Sequence, residues 1–119
     1  MSTATVRTKE ELERAKNNGV EEIIVVGELA QKLKTAKVVG TFSKATVFAL
    51  VAALAAVPAT GGLSMVALVP IAAMTGVEIA VITAVVFVGM SLLLAILKEY
   101  DIRVTVDKDG NVVVILEKK

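Results

Sequence analysis

The chain has 119 residues, 55% of them hydrophobic, and thirteen Lys/Arg against twelve Asp/Glu give a net charge of +1. A mean hydropathy of +0.76 is high for a water-exposed domain, and balanced charge with only 3% aromatic residues supplies neither the basic stripe nor the stacking platforms of a nucleic-acid binder. The chain contains no Cys, His or Trp, which removes disulfides, thiolate and imidazole chemistry and the usual zinc ligands, so neither a metal nor a cofactor is expected.

Thr3 to Thr8 alternates β-branched and small residues, and Thr8 with Glu11 has capping-box spacing. This predicts a strand running into a short helix with Leu12 and Ala15 on its apolar face, stopped at Asn17, Asn18 and Gly19. Ile23 to Val26 is a β-branched run that reads as a strand covered on more than one face. From Glu28 the period changes: Leu29, Ala30, Leu33 and Ala36 share one helical face, and Gln31, Lys32, Lys34 and Lys37 share the other. Packing on a sheet is preferred for this helix over lying on a membrane surface.

Gly40 to Ser43 marks a break, and from Ala45 to Leu97 the only charged residue is Glu78. A hydrocarbon core about 30 Å thick takes roughly 20 apolar residues of helix per crossing, so this stretch predicts a two-pass transmembrane helical hairpin. The first helix runs to about Val57 and is interrupted by Pro58, Gly61 and Gly62; Leu63 to Met74, containing Pro70, is a far-side connection or a re-entrant segment. Gly76 to Leu97 is expected to be one spanning helix, with Tyr100 as an interfacial aromatic. The apolar run starts too far from Met1 for a secretory signal.

After Asp101 the period becomes two: Ile102, Val104 and Val106 alternate with Arg103, Thr105 and Asp107, Asp109-Gly110 turns the chain, and Val112 to Leu116 returns as a strand. An isolated hairpin is marginal in water, as is the upstream strand-helix-strand unit, so the two are expected to close into one four-stranded sheet. The fold class expected is an α+β membrane protein: residues 1–43 form a β-α-β-α half, 44–99 the membrane hairpin, and 100–119 the β-hairpin completing a cytoplasmic domain. Lys32, Lys34, Lys37, Lys44 and Lys98 lie on the sheet side, and Pro58 to Gly76 holds no Lys or Arg, which places both termini in the cytoplasm at the inner membrane.

The candidate site residues are few. Glu78 is either an intramembrane carboxylate on an ion path or, as Thr75 three residues earlier favours, a helix-capping partner. Ala45, Ala49 and Ala53 with Ala80, Ala84, Gly89, Ser91 and Ala95 make small-residue stripes suited to close helix packing within or between protomers. Pro58, Gly61, Gly62 and Pro70 are the hinge or re-entrant candidates. Asp107, Asp109, Gly110 and Asn111 resemble a calcium loop but lack its twelfth ligand and read as a turn; the glycines fit no nucleotide fingerprint.

The function expected is a homo-oligomeric membrane scaffold or interaction module in contact with the lipid bilayer, with Val112 to Leu116 as a strand-pairing edge. The alternative is an oligomeric channel or permeabilising effector. An enzyme is not expected, because the Asp, Glu, Lys, Arg, Ser and Thr residues show no catalytic spacing.

Overall fold

The computed structural model describes residues 2–55 and 65–119, and within 65–67 the backbone alone. β1 (Thr3–Val6) leads into α1 (Lys9–Asn17), followed by β2 (Glu22–Val25) and α2 (Glu28–Ala36). A 3₁₀ turn (Lys37–Thr41) precedes α3 (Lys44–Ala55), α4 (Met65–Thr75), α5 (Ile79–Val88) and α6 (Met90–Glu99), and the described chain closes with β3 (Tyr100–Val106) and β4 (Val112–Lys118). The strand order is β1-β2-β4-β3, with β1 parallel to β2 and the other two pairings antiparallel. Both ends of the chain therefore contribute to one sheet.

Local chemistry accounts for the first elements. The Thr8 hydroxyl accepts from the Glu11 N–H at 3.1 Å, satisfying a donor freed by the first turn of α1, and the Glu11 carboxylate reaches back past the cap to accept from the Arg7 N–H at 3.2 Å. Asn18 ends the helix, and Gly19 follows at φ +68°. Ser43 does for α3 what Thr8 does for α1, its hydroxyl accepting from the Thr46 N–H at 3.1 Å.

One face of the sheet is buried and the other is open. Val6, Ile23, Val25, Val114 and Leu116 point inward and are buried, whereas Thr5, Ile24, Ile115 and Arg103 share a row on the open face and are exposed or half-buried. β2 is thus covered on one face, not on more than one. Its run of four β-branched residues hid the alternation.

The transmembrane hairpin is not what this sequence builds. Among the described residues no single helix is long and apolar enough to cross a membrane. Leu68–Thr75 and Ile79–Val88 reach the required length and hydropathy only when taken together, and they are bent by 111°. The expected span from Gly76 to Leu97 is also divided, because Gly89 at φ +95° separates α5 from α6.

Much of the apolar surface that resembled a lipid-facing one is instead covered by protein, although Phe48, Val69 and Met74 stay exposed. α5 packs extensively along α2 and buries Val81, Ile82, Ala84, Val85 and Val88. In α6, Leu92, Leu93 and Ile96 are buried. A helix apolar on all sides is the signature of either a membrane span or a core helix, and composition does not separate them. The expected membrane, transmembrane and pore character goes with the hairpin, and the bilayer partner and inner-membrane location lose the premise from which they were drawn. A single buried cluster runs from Val6 through α2, α5 and α6 to Leu116.

Gly89 is required where it stands. Its N–H donates to the Val85 carbonyl at 2.7 Å and its carbonyl accepts from the Leu93 N–H at 2.9 Å, so it closes one helix and opens the next at a positive φ that L-residues rarely adopt. A Cβ there would meet the Lys9 amine at 2.9 Å, but that flexible side chain can move aside; the lasting cost is backbone strain. Gly89→Ala is expected to lower stability by about 1–3 kcal/mol in urea unfolding.

Candidate functional site

The residues singled out from the sequence do not converge on one centre. Glu78 is exposed and is the N-cap residue of α5, but its side chain makes no capping hydrogen bond. Thr75 closes the preceding helix instead: its hydroxyl donates to the Ile71 carbonyl at 2.7 Å and accepts from the Val77 N–H at 3.3 Å. Pro70 lies inside α4; Pro58, Gly61 and Gly62 lie outside the described residues. Of the small-residue stripes, Ala53 and Ala84 are buried, Ala45, Ala49, Ala80 and Ser91 are exposed, and Gly89 and Ala95 are half-buried. Gly89, Ser91 and Ala95 line a cleft of about 370 Å³ against Lys9, Glu13 and Lys16 of α1, where Lys16 pairs with Glu99 at 3.8 Å.

No group of three or more acidic side chains among the described residues is placed to hold a metal ion. A shallow apolar groove runs between the 3₁₀ turn, α3 and α6, with Phe42, Phe48, Val51 and Leu94 in its lining and Lys44 and Lys98 beside them. Phe48 is 77% exposed there.

The feature with a definite chemical capacity is the outer edge of the sheet. β4, expected to offer the pairing edge, is an inner strand bonded to β2 on one side and to β3 on the other. Among the described residues the sheet ends in two edge strands, the four-residue β1 and the seven-residue β3, and β3 is the longer free edge. Asp107 donates its N–H to the Asn111 carbonyl at 2.9 Å, and at the other end Lys119 donates to Glu99 at 2.9 Å. Antiparallel ladders alternate bonded and non-bonded pairs, so between these points Asp101, Arg103 and Thr105 bond to β4. Ile102 and Val104 turn their N–H and C=O groups outward, and no backbone partner for them occurs among the described residues.

Side chains on the open face set the electrostatics of this edge. Glu22, Glu117 and Asp101 lie in one cross-strand row, three carboxylates side by side. Arg103, one row over, reaches Glu117 at 3.0 Å. Like charges directly opposite one another are unfavourable, and Arg103 offsets part of that cost. Both ends of β3 are fixed. At one end Asp107 Oδ1 accepts from the N–H groups of Asp109 and Asn111 at 2.9 Å, bonds that hold its carboxyl below the usual range, the Asn111 N–H foremost.

At the other end the Tyr100 hydroxyl donates to the Val20 carbonyl at 2.8 Å, tying β3 to the loop before β2. Burial first, and the adjacent Glu99 charge second, push its phenol above the ordinary range. In the unfolded chain a tyrosine ionises near pH 10, so the neutral folded form contributes stability that is whole below that pH and is lost as pH rises through the raised folded value. The chain has one Tyr, so phenolate absorbance reads this group alone. The expected result is a midpoint above about 10 in the folded protein, and an alkaline loss of stability that is smaller in Tyr100→Phe.

Sequence reasoning missed β3 as the edge because strand order depends on how the hairpin docks, which periodicity does not encode. The available signal was its alternation of charged residues at 101 and 103 with apolar ones at 102 and 104, a pattern edge strands carry more readily than inner ones.

Comparison with known proteins gives family membership. A family model described as "Uncharacterised protein PM1101" matches residues 5–118. The protein described as "Uncharacterized protein PM1101" of Pasteurella multocida (strain Pm70) is 36% identical over 102 residues, covering 80% of this chain and 81% of its own length. No solved structure matches. The match to the family model runs from within β1 to the end of β4, taking in every described helix and the β3 edge, and the chain belongs to the PM1101 family.

Proposed function

We propose that this chain is a non-enzymatic interaction module that assembles as a homo-oligomer through the free edge of β3. The observation that carries this reading is the pair of outward-facing backbone N–H and C=O sets at Ile102 and Val104, on a seven-residue edge strand with no strand on its outer side among the described residues. Such an edge templates strand addition, its backbone bonds providing affinity and its alternate side chains providing selectivity. The half-buried apolar residues Ile24, Val113 and Ile115 on the open face lie beside it and extend the surface a partner would cover.

Ile102→Pro tests the reading. The Ile102 N–H takes no part in the β3–β4 ladder, and proline is tolerated on an edge strand where its missing donor faces solvent. The variant is expected to keep its circular-dichroism spectrum and sediment as a monomer where the unmodified protein sediments as an oligomer. If particle mass is the same for both, β3 is not the assembly surface.

A further inference from the structure

We propose that the occupant of the β3 edge is the β3 strand of a second copy, paired antiparallel about a two-fold axis through Ile102; this rests on the assembly reading above and specifies its register. Ile102 and Val104 carry the outward backbone groups, so in an antiparallel self-pairing the bonded positions are drawn from the even-numbered residues of β3, and three central registers are available. With the axis at Arg103, two guanidinium groups stand directly opposite one another. With the axis at Val104, Asp101 of each copy faces Asp107 of the other. With the axis at Ile102, Asp101 of each copy faces Arg103 of the other, and both cross-strand pairs are of opposite sign.

The Ile102 register also relieves the carboxylate row. Glu22, Glu117 and Asp101 end that row at the sheet edge, where the diagonal Arg103 pairs with Glu117. In the paired sheet Arg103 of the second copy becomes the next member of the row, beside Asp101. The backbone complements this arrangement. Ile102 exchanges two bonds with its counterpart, and the Val104 N–H of each copy reaches the Tyr100 carbonyl of the other, while the Tyr100 N–H keeps its bond to the Ile96 carbonyl. The contact is isologous, so it closes as a dimer with one eight-stranded sheet instead of propagating.

Single-cysteine variants read the register directly, because the natural chain has no Cys. In the proposed register Ile102→Cys places two cysteines across a bonded pair about 5.5 Å apart between Cα atoms, within disulfide reach, whereas Val104→Cys places them roughly 13 Å apart. Under mild oxidation Ile102→Cys is expected to form the linked dimer and Val104→Cys to remain uncrosslinked. In sedimentation equilibrium Asp101→Arg is expected to weaken the dimer about tenfold, by setting Arg opposite Arg at two sites, and Asp101→Arg/Arg103→Asp to restore it. Preferential linkage through Val104→Cys, or a dimer indifferent to Asp101→Arg, overturns the register while Ile102→Pro still reports whether β3 is the interface. A protein monomeric at every concentration overturns both.

Discussion

Val114→Pro is expected to destabilise the fold severely, whereas Ile102→Pro one strand away leaves it intact. Val114 is fully buried in β4, opposite Val25 on one side and Val104 on the other. The Lys118 N–H donates to the Glu21 carbonyl at 2.8 Å, and alternation from that bond directs the Val114 N–H toward β2. Proline removes this inner-ladder donor and leaves a buried β2 carbonyl unpaired, which costs about 1–3 kcal/mol, and its ring is tolerated essentially only on edge strands or at bulges. The loss is large against a total stability of roughly 5–15 kcal/mol. Far-UV circular dichroism and urea titration check it: a Val114→Pro protein with an unshifted midpoint would contradict the strand order. The sequence leads one to expect a pairing edge at Val112 to Leu116; on an inner strand a proline there reports on folding and not on assembly.

The second large effect is at the helix contact that replaces the membrane hairpin. Leu33, in the middle of α2, is fully buried, and α2 packs along α5. Leu33→Ala removes three carbons from a close-packed site and is expected to cost about 2–5 kcal/mol, the spread depending on how far the neighbours collapse into the space. Phe48→Ala, at a side chain 77% exposed, is the matched control and should shift the urea midpoint little. If the two substitutions cost the same, Leu33 is not a core position of α2.

The elements legible in the sequence were those whose chemistry is local. The Thr8 and Glu11 side chains fix the start of α1 from within one turn, Asp107 and Gly110 fix the hairpin, and Leu29, Ala30, Leu33 and Ala36 are the buried face of α2 as their spacing requires. The Ala45–Leu97 stretch was misread because hydropathy reports how apolar a helix is and not what covers it. α5 carries its apolar residues on all sides, and α2, α4 and α6 are close enough to use them. Gly89 looked like a member of a small-residue packing stripe; its positive φ, which no spacing rule reveals, makes it the break between helices. At the candidate site, the alternation of β3 was readable and its position outside β4 was not.

The sheet joins residues from opposite ends of the chain: Ile23 lies opposite Leu116 and Val25 opposite Val114. The inner strand β2 has its parallel neighbour β1 close in sequence, but the strand on its other side is the last to be synthesised. During translation α2 and α5 emerge with their apolar faces made and without the β4 strand against which the sheet closes. Closing so long a loop costs entropy before its contacts form, and chains dominated by such pairings fold slowly. The nascent protein therefore carries the inner face of β2 and the side of α2 that packs on β4 uncovered until β4 has left the ribosome, an interval in which exposed apolar surface and an unpaired strand edge favour misassembly.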